Sequence, residues 1–379
     1  MSNRGCRTEP FTTINGPVCD CTGTPEPALP RMKQSFIIGS VQTSLGIVPQ
    51  VASTLNRRDH WGTVKARFGV GRMDYAVDPG LYALGNPDGN SPVFVSANYK
   101  MSFDALRSSV PGRTGWILVL DTDGINVWCA AGKGTFGTDE LVARIEATGL
   151  KDVVCHRQLI LPQLAAPGVA AHRVKQLSGF TVHYGPVKAR DLPAYLDAGM
   201  HVRPEMRRKS FTLLERVVLI PVELVEALKP TLAIVPVLFL LGGLGGRGGF
   251  WPGALHDGLF AVMAFLSALI AGAVLSPIFL PYLPGRAFST KGFFIGTLMA
   301  FFVLSLRGFD WQTGRGVLDA ASWLLIIPAV AAYLAMNFTG CSTFTSLSGV
   351  RKEMRWALPL EIGLASFGIL AWVTSRVFL

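Results

Sequence analysis

The pattern of apolar and polar positions divides the chain into two halves. Up to about residue 210, charged residues, glycine and proline are mixed with short apolar runs, as in a water-soluble globular domain. Long uncharged apolar runs begin only after Pro230. Because a bilayer core needs about 20 apolar residues in a helix, the second half is predicted to cross a membrane.

Five apolar segments in the second half are predicted to be membrane spans. They cover residues 230–246, 258–285, 292–306, 320–350 and 357–375. The third has only 15 residues before Arg307, so four spans remain an alternative. The fifth contains an acid, Glu361, which is expected to reach lipid head groups or Arg355 rather than to mark a functional site.

In the first half, short apolar runs alternate with helical patterns. Strands are predicted at 116–120, 153–155, 159–161 and 180–184. Helices are predicted at 138–149, 169–177 and 192–198, the first with Thr138 as its N-cap. This alternation indicates an α/β fold with a mostly parallel, Rossmann-like sheet. Its ligand site is expected beyond the carboxyl ends of the strands.

Charge and cysteine content refine this division. The net charge of +10 is not arranged in the lysine and arginine runs of nucleic-acid-binding proteins. Ten basic residues flank one side of the predicted spans and four flank the other, which favours a cytoplasmic N-terminal half and an external C-terminus. Six scattered cysteines and the absence of an export signal agree with a multi-pass protein of the cytoplasmic (inner) membrane.

Four regions follow from these patterns. Residues 1–34 are predicted to be a flexible leader, and 35–200 a ligand-binding domain. Residues 201–229 are predicted to be a basic linker with an amphipathic segment lying along the membrane interface, and 230–379 the membrane domain. An extended first span that includes this segment is an alternative.

One segment of the first half combines a thiol, an amide and a lysine among small residues. It runs from Asn126 through Cys129 to Lys133. A cysteine in the first turn of a short helix has unpaired backbone amides nearby, which favour the thiolate that binds metals. From the residues alone, a packing cysteine or a phosphate-binding turn remain alternatives, although the Walker spacing is absent.

At these residues the chain resembles the corrinoid proteins of bacterial mercury methylation, the HgcA family. The signature of that family is met letter for letter at 126–133. Further segments that resemble the family are 83–87, 95–100, 134–138, 161–164 and 340–353, so that the resemblance covers about residues 35–379. The γ-subunit of the corrinoid iron-sulfur protein of the acetyl-CoA pathway has a related corrinoid domain.

The resemblance implies that residues 35–200 form a corrinoid-binding domain. Cys129 would be the thiolate ligand of cobalt, on a short cap helix. Further contacts to the cofactor are implied for Ser96, Asn126, Val127, Trp128, Ala130, Ala131, Gly132, Lys133 and Gln163. Lys133 would pair with a corrin amide or face solvent.

The implied activity is methyl transfer from a folate-linked donor, through cobalt, to mercuric ion, which gives methylmercury. An anionic sulfur ligand favours release of the methyl group with its electron pair, as mercuric ion requires. The implied partners are a ferredoxin-like protein with [4Fe-4S] clusters as electron donor, a methyl-folate-linked methyltransferase and membrane lipid. The main alternative is a membrane-tethered corrinoid carrier of one-carbon metabolism with another acceptor.

Three further interpretations concern the remaining features. A transporter with a soluble sensor is disfavoured because few charged residues lie inside the predicted spans. Cys19 and Cys21 are interpreted as incidental cysteines of the leader rather than as a soft-metal pair. Cys155 and Cys341 are interpreted as packing residues.

Overall fold

The computed structural model describes residues 29–44, 46–245, 248–308, 312–341 and 347–378. An α/β domain is followed by five helices that are long and apolar enough to cross a membrane, which confirms the predicted fold class. Cys19, Cys21 and the side chain of Cys341 lie outside the described part of the chain.

The α/β domain is built on a sheet of seven strands. They are β1 (Ile37–Thr43), β2 (Gly46–Val51), β3 (Gly80–Leu84), β4 (Val93–Ala97), β5 (Gly115–Leu120), β6 (Gln158–Leu161) and β7 (Thr181–Tyr184). Their order in the sheet is β1-β2-β3-β5-β4-β6-β7. The β1–β2 and β3–β5 pairs are antiparallel and the other four are parallel. The mostly parallel sheet is therefore confirmed.

Seven helices pack around this sheet. They are α1 (Arg57–Arg67), α2 (Lys100–Ser109), α3 (Val127–Lys133), α4 (Thr138–Ala147), α5 (Leu150–Val153), α6 (Ala171–Ser178) and α7 (Leu192–Asp197). The strand predicted at 153–155 is wrong, because Val153 ends α5 and Cys155 lies in a bend. The N-cap of α4 is Gly137, and the Thr138 hydroxyl instead accepts a hydrogen bond from the Ala170 amide.

Every residue of β3, β4 and β5 is buried, so these central strands are covered on both faces. Two apolar clusters form the layers on either side of the sheet. Met206 belongs to one cluster, and Leu29 packs against the other. The packed unit thus extends beyond residues 35–200 at both ends.

A buried ion network joins α1 to α2. Lys100 Nζ lies 2.8 Å from Asp59 Oδ1, and Arg107 Nη2 lies 2.7 Å from Asp59 Oδ2. Asp104 pairs with the same two bases, so two acids balance two bases. Burial alone would raise the pKa of Asp59, but hydrogen bonds from Lys100, the Asn56 amide and Arg107 outweigh it and hold that pKa below its usual range.

Asp59→Ala is expected to destabilise the α/β domain by about 3–5 kcal/mol, because it leaves two buried cations short of a partner. Native-state hydrogen exchange at amides of β5 measures this loss. Asp78→Ala is the control: its pair with Arg31 is exposed and is worth about 1 kcal/mol or less. The contribution of Asp59 to the stability of the folded domain is fully present above the unfolded-state pKa of about 4. It is lost as pH falls through the lowered folded-state pKa. Equal losses for both variants would contradict this account.

The second half contains the five long apolar helices. We name them span 1 (Leu213–Gly242), span 2 (Phe250–Phe279), span 3 (Phe288–Arg307), span 4 (Gly314–Asn337) and span 5 (Ser348–Val377). They comprise α8 (Leu213–Val217), α9 (Ile220–Gly242), α10 (Phe250–Gly253), α11 (Leu259–Leu269), α12 (Ser276–Phe279), α13 (Phe288–Arg307), α14 (Gly314–Asn337) and α15 (Leu347–Val377). Two π-helical segments, Ala254–Gly258 and Ile270–Leu275, join α10, α11 and α12.

Two of the predicted segments have different limits in the structure. Span 3 has 20 residues, because its helix continues past the 15 uncharged ones to Phe288. The segment predicted to lie along the interface leads into α9, and Leu213–Gly242 is together long and apolar enough to be one extended first span. Pro221 fits this continuity, since it stands in the first turn of α9, where proline is tolerated.

Charged residues tie together one end of spans 2 to 5. Asp257, near the start of span 2, pairs with Arg307 at the end of span 3 and with Arg376 at the end of span 5. Arg376 also pairs with Asp319, near the start of span 4. The spans therefore run up and down alternately. The structure also shows more charge within these helices than the uncharged runs of the sequence indicated.

Candidate functional site

The cysteine singled out in the sequence lies in the first turn of the short helix α3. The Asn126 side-chain oxygen accepts a hydrogen bond from the Cys129 amide at 3.1 Å, as an N-cap does. The same side chain donates through Nδ2 to Cys129 Sγ at 3.5 Å. Gly134 ends the helix at φ 91°, where its amide donates to the Ala130 carbonyl. Asn126 thus both starts the helix and orients the thiol.

Asn98 shapes the turn that leads from β5 into α3. It follows β4, and its side-chain oxygen accepts hydrogen bonds from the amides of Thr122 and Gly124 and from the Thr122 hydroxyl, at 2.8–3.1 Å. Its Nδ2 donates to Asp121 at 3.0 Å. The ends of two neighbouring parallel strands are thereby locked together, which fixes where α3 begins.

Gly168 packs directly against the backbone of α3 and of the turn that follows it. A Cβ built on it would lie 2.2 Å from the Phe136 carbonyl oxygen and 3.0 Å from the backbone of Ala131. Real Cβ atoms do not approach backbone this closely, so a larger residue would push the helix and the following turn away. The Phe136 ring is fully buried. The position of α3 therefore depends on a residue 35 or more positions away in the sequence.

A cavity of about 220 Å³ opens beside α3, near the carboxyl ends of β4 and β6. Four of the residues predicted to hold a ligand line it: Ser96, Asn126, Val127 and Trp128. Ser96 is buried at 3% exposure and its hydroxyl donates to the Ala97 carbonyl at 3.4 Å. Trp128 is 46% exposed at the rim. The walls are otherwise mostly apolar.

The other predicted site residues divide into exposed and buried ones. Cys129, Gly132 and Lys133 are exposed on the outer side of α3. Ala130 and Ala131 are buried and belong to the core beneath the helix. A Cβ built on Gly132 or Gly134 would meet nothing within 4 Å, so the backbone there is open to a large ligand.

Two polar atoms near this helix are buried without a hydrogen-bond partner. They are Gln163 Oε1 and Thr135 Oγ1. Gln163 does not line the cavity, but its 3₁₀ turn, Gln163–Ala165, packs against α3. A buried polar atom without a partner costs free energy, and a ligand that supplies one removes that cost.

Sequence reasoning missed Asn98 and Gly168 as positioning residues. Asn98 directly follows a buried strand and lies within a segment already noted, so its place at a strand end was a usable signal. Gly168 gave no such signal in the sequence, because all of its contacts are made by tertiary packing. The interpretation of Cys155 as a packing residue is wrong, since its thiol is exposed, beside Gly89.

The arrangement offers a metal one soft ligand from the protein. Among the described residues, no three histidine, cysteine, aspartate or glutamate side chains come together to hold a metal ion. On α3 itself the exposed Cys129 thiol is the one metal-ligating side chain, and the backbone at Gly132 and Gly134 nearby is open.

Comparison with known proteins finds that part of the α/β domain is similar to subunits of acetyl-CoA synthase and decarbonylase/synthase complexes. The family model of the CO dehydrogenase/acetyl-CoA synthase delta subunit matches residues 68–196. This stretch includes α3 and the cavity, and it ends before the spans.

Individual relatives cover the same part of the chain. The gamma subunit of the acetyl-CoA decarbonylase/synthase complex of Methanocaldococcus jannaschii is 41% identical over 97 residues, 25% of this chain and 20% of that subunit. The gamma subunit of Archaeoglobus fulgidus is 31% identical over 140 residues, which are 36% of this chain and 29% of that subunit. Gamma subunit 2 of Methanosarcina thermophila is 35% identical over 130 residues, which are 33% of this chain and 27% of that subunit. The chain thus spans less than a third of the length of these relatives, and its α/β domain is similar to one segment of them.

Proposed function

We propose that this chain carries out corrinoid-dependent methyl transfer while tethered to a membrane, with Cys129 as the protein ligand to cobalt. The observation that carries the proposal is the exposed Cys129 thiol, held by Asn126 at the start of α3. The similarity of residues 68–196 to proteins of the acetyl-CoA pathway supports it. So does the corrinoid-protein signature at 126–133.

The described residues fit a corrinoid. Cys129 would supply a ligand to its cobalt, and the open backbone at Gly132 and Gly134 would leave space for a large macrocycle. Gln163 Oε1 and Thr135 Oγ1 are buried without a hydrogen-bond partner among the described residues, and their side chains would have to turn outward to meet amide groups at its edge. When bound, the group supplies a cobalt centre that carries methyl.

The chain's own residues would hold and tune this group. The Cys129 sulfur would donate charge to the metal, and its direction is set by the hydrogen bonds with Asn126. Trp128 and the apolar walls of the cavity limit water beside the helix. Lys133 is exposed at the end of α3, where it can face solvent or a polar group of the ligand.

The comparisons favour an acceptor in one-carbon metabolism, because the relatives are subunits of an acetyl-CoA decarbonylase/synthase complex. Mercuric ion is a second candidate, and the specific observation in its favour is the cysteine ligand. A thiolate donates more charge than a neutral imidazole and thus favours transfer of methyl with its electron pair, which a mercuric ion accepts. In both cases an iron-sulfur protein is the proposed electron donor.

The test of the acceptor uses the full chain, purified in detergent and loaded with methylcobalamin. Incubation with mercuric ion is expected to give methylmercury faster than free methylcobalamin does, measured by gas chromatography and mass spectrometry. A rate equal to that of the free cofactor would reject mercuric ion. Methyl transfer to tetrahydrofolate in the presence of a folate methyltransferase would then support the one-carbon carrier.

We propose further that all five spans cross the cytoplasmic membrane with the α/β domain in the cytoplasm. The structure brings three of the four basic residues of the less positive side, Arg307, Arg315 and Arg376, to one end of the bundle, where they pair with acids. Unpaired basic residues favour the cytoplasmic side of a membrane. Because the arginines at this end are paired with acids, this end is expected to face outward. We propose that the α/β domain comprises residues 29–210 and the membrane domain residues 213–377.

A reporter enzyme that is active only outside the cytoplasm is expected to be active when fused after the last residue. The matched fusion, after residue 210, is expected to be inactive, because it precedes span 1. Reporter activity measured in intact cells checks both. An inactive C-terminal fusion at normal expression would contradict five spans in this orientation.

A further inference from the structure

The membrane half contains a cavity that methyl transfer does not use. It measures about 700 Å³ and lies between span 1 and span 5, with spans 2 and 4 as its back wall. Its lining is mostly apolar, as in Ile234, Phe265 and Ile362. A volume of this size matches that of organic ligands, which occupy about 300–1,000 Å³.

Glu361 is the unusual feature of this cavity. It is 6% exposed, and neither carboxylate oxygen has a hydrogen-bond partner among the described residues. The expectation that Glu361 reaches Arg355 is therefore wrong, because Arg355 stands exposed on the same helix without meeting it. Contact of Glu361 with lipid head groups stays a prediction. A buried carboxylate with no partner is costly in a membrane protein and commonly marks a binding site.

The charges around the cavity all have one sign. Glu223 and Glu226 of span 1 line it together with Glu361, and none of the described basic residues does. Glu226 pairs with Lys229 at 2.7 Å, and both side chains point largely to the outside, at 58% and 65% exposure. Because the buried Glu361 carboxylate meets no basic residue among those described, it favours a cation in the cavity.

The cation that fits is organic rather than metallic. These acids do not form a metal-binding group of three among the described residues. The apolar lining has no means to solvate a bare or hydrated metal ion, whereas it suits the hydrocarbon part of an amine. Tyr333 and Asn337 add two polar groups at the wall.

We propose that this cavity binds an organic ammonium compound with an apolar body, and that Glu361 is its counter-ion. The inference assumes the membrane placement proposed above. The ammonium group pairs with Glu361 while the apolar part fills the space between spans 1 and 5. A lipid amine head group and a free amphiphilic amine share this chemistry.

The test measures binding of radiolabelled tetraphenylphosphonium to the full chain in phosphatidylglycerol nanodiscs. Saturable binding is expected, and E361Q is expected to weaken it about tenfold or more, because a buried charge pair is lost. E353Q is the matched control: Glu353 lies two turns earlier on the same helix, accepts a hydrogen bond from the Ser289 amide and does not line the cavity. Tetraphenylborate has the same shape and the opposite charge; it is measured as a radiolabelled probe in separate samples, since the two ions precipitate together, and it should show no saturable binding.

A second variant keeps the test decisive if E361Q fails to fold. A365W leaves the carboxylate in place and fills the cavity that Ala365 lines, so it is also expected to abolish binding. Unchanged binding by a folded E361Q or A365W, or saturable binding of tetraphenylborate with equal affinity, would overturn the proposal. Weaker apparent affinity in phosphatidylethanolamine nanodiscs than in phosphatidylcholine nanodiscs, which have the same net charge but no primary amine, would support the lipid amine head group as the source, and equal affinity a free amine. Neither readout involves the corrinoid, so failure here is distinct from failure of the proposed methyl transfer.

Discussion

Cys129→Ala is expected to abolish methyl transfer while leaving the α/β domain folded. Loss of one hydrogen-bond partner of a metal ligand already costs about 10- to 100-fold, so loss of the ligand itself should cost about 100-fold or more. The fold should tolerate the change, because Cys129 is exposed and alanine suits a helix. Methyl transfer in cells at matched protein level measures the effect.

Two variants make the Cys129 experiment specific. Cys155→Ala removes the other exposed thiol of the described residues and is expected to keep full activity. Cys129→His is expected to recover some metal coordination, since imidazole is a competent ligand, but to transfer methyl poorly because it donates less charge. An active Cys129→Ala protein would show that the thiol is merely a surface residue.

Gly168→Ala is expected to weaken corrinoid binding about tenfold or more. The new methyl group would collide with the Phe136 carbonyl and the backbone of Ala131, so α3 and the thiol it carries must move. Overpacking of this kind costs about 1–3 kcal/mol, and the displaced element is the one that presents Cys129. Titration of the full chain with cobalamin, followed by visible absorption, gives the affinity.

Gly363→Ala is the matched control for the Gly168 variant. Gly363 lies in span 5, outside the α/β domain, and a Cβ there meets nothing within 4 Å. Alanine in a helix is favoured over glycine by about 1 kcal/mol, so this variant should bind the cofactor as well as the wild type does. Equal affinities for both variants would show that Gly168 does not set the position of α3.

The strands that could be predicted are those whose apolar runs end at clear turns. The run 116–120 stops at the Asp-Thr-Asp-Gly turn, and the structure has β5 there. The run 153–155 misled because two valines and a cysteine fit a strand as well as the end of α5. The short runs of β3 and β4 hold glycine, alanine or serine, so their burial depends on neighbouring strands rather than on local pattern.

The membrane half shows the same limit of sequence patterns. Uncharged runs located all five spans, but not their ends, because the helices continue into charged residues. Asp319 and Arg376 lie within spans 4 and 5 and are tolerated there because they pair with each other across the bundle. Glu361 could not be placed from its distance to Arg355 in the sequence, since the helix turns the two side chains apart.

For the candidate site, the sequence indicated the residues that carry the chemistry but few of the residues that hold them in position. Asn126 and Cys129 were recognisable because capping and thiol reactivity are local properties. The hydrogen bonds of Asn98 and the backbone contact of Gly168 join segments that lie far apart along the chain, so they require the fold. The partnerless Gln163 and Thr135 atoms likewise become visible only once their surroundings are known.

Cobalt K-edge X-ray absorption of the full chain loaded with methylcobalamin tests the central claim most directly, because it reports the atoms bound to the metal. The account predicts one sulfur neighbour of cobalt in the wild type, its loss in Cys129→Ala, and an unchanged spectrum in Cys155→Ala. A cobalt environment of only nitrogen, oxygen and carbon in the wild-type protein would contradict Cys129 as the ligand.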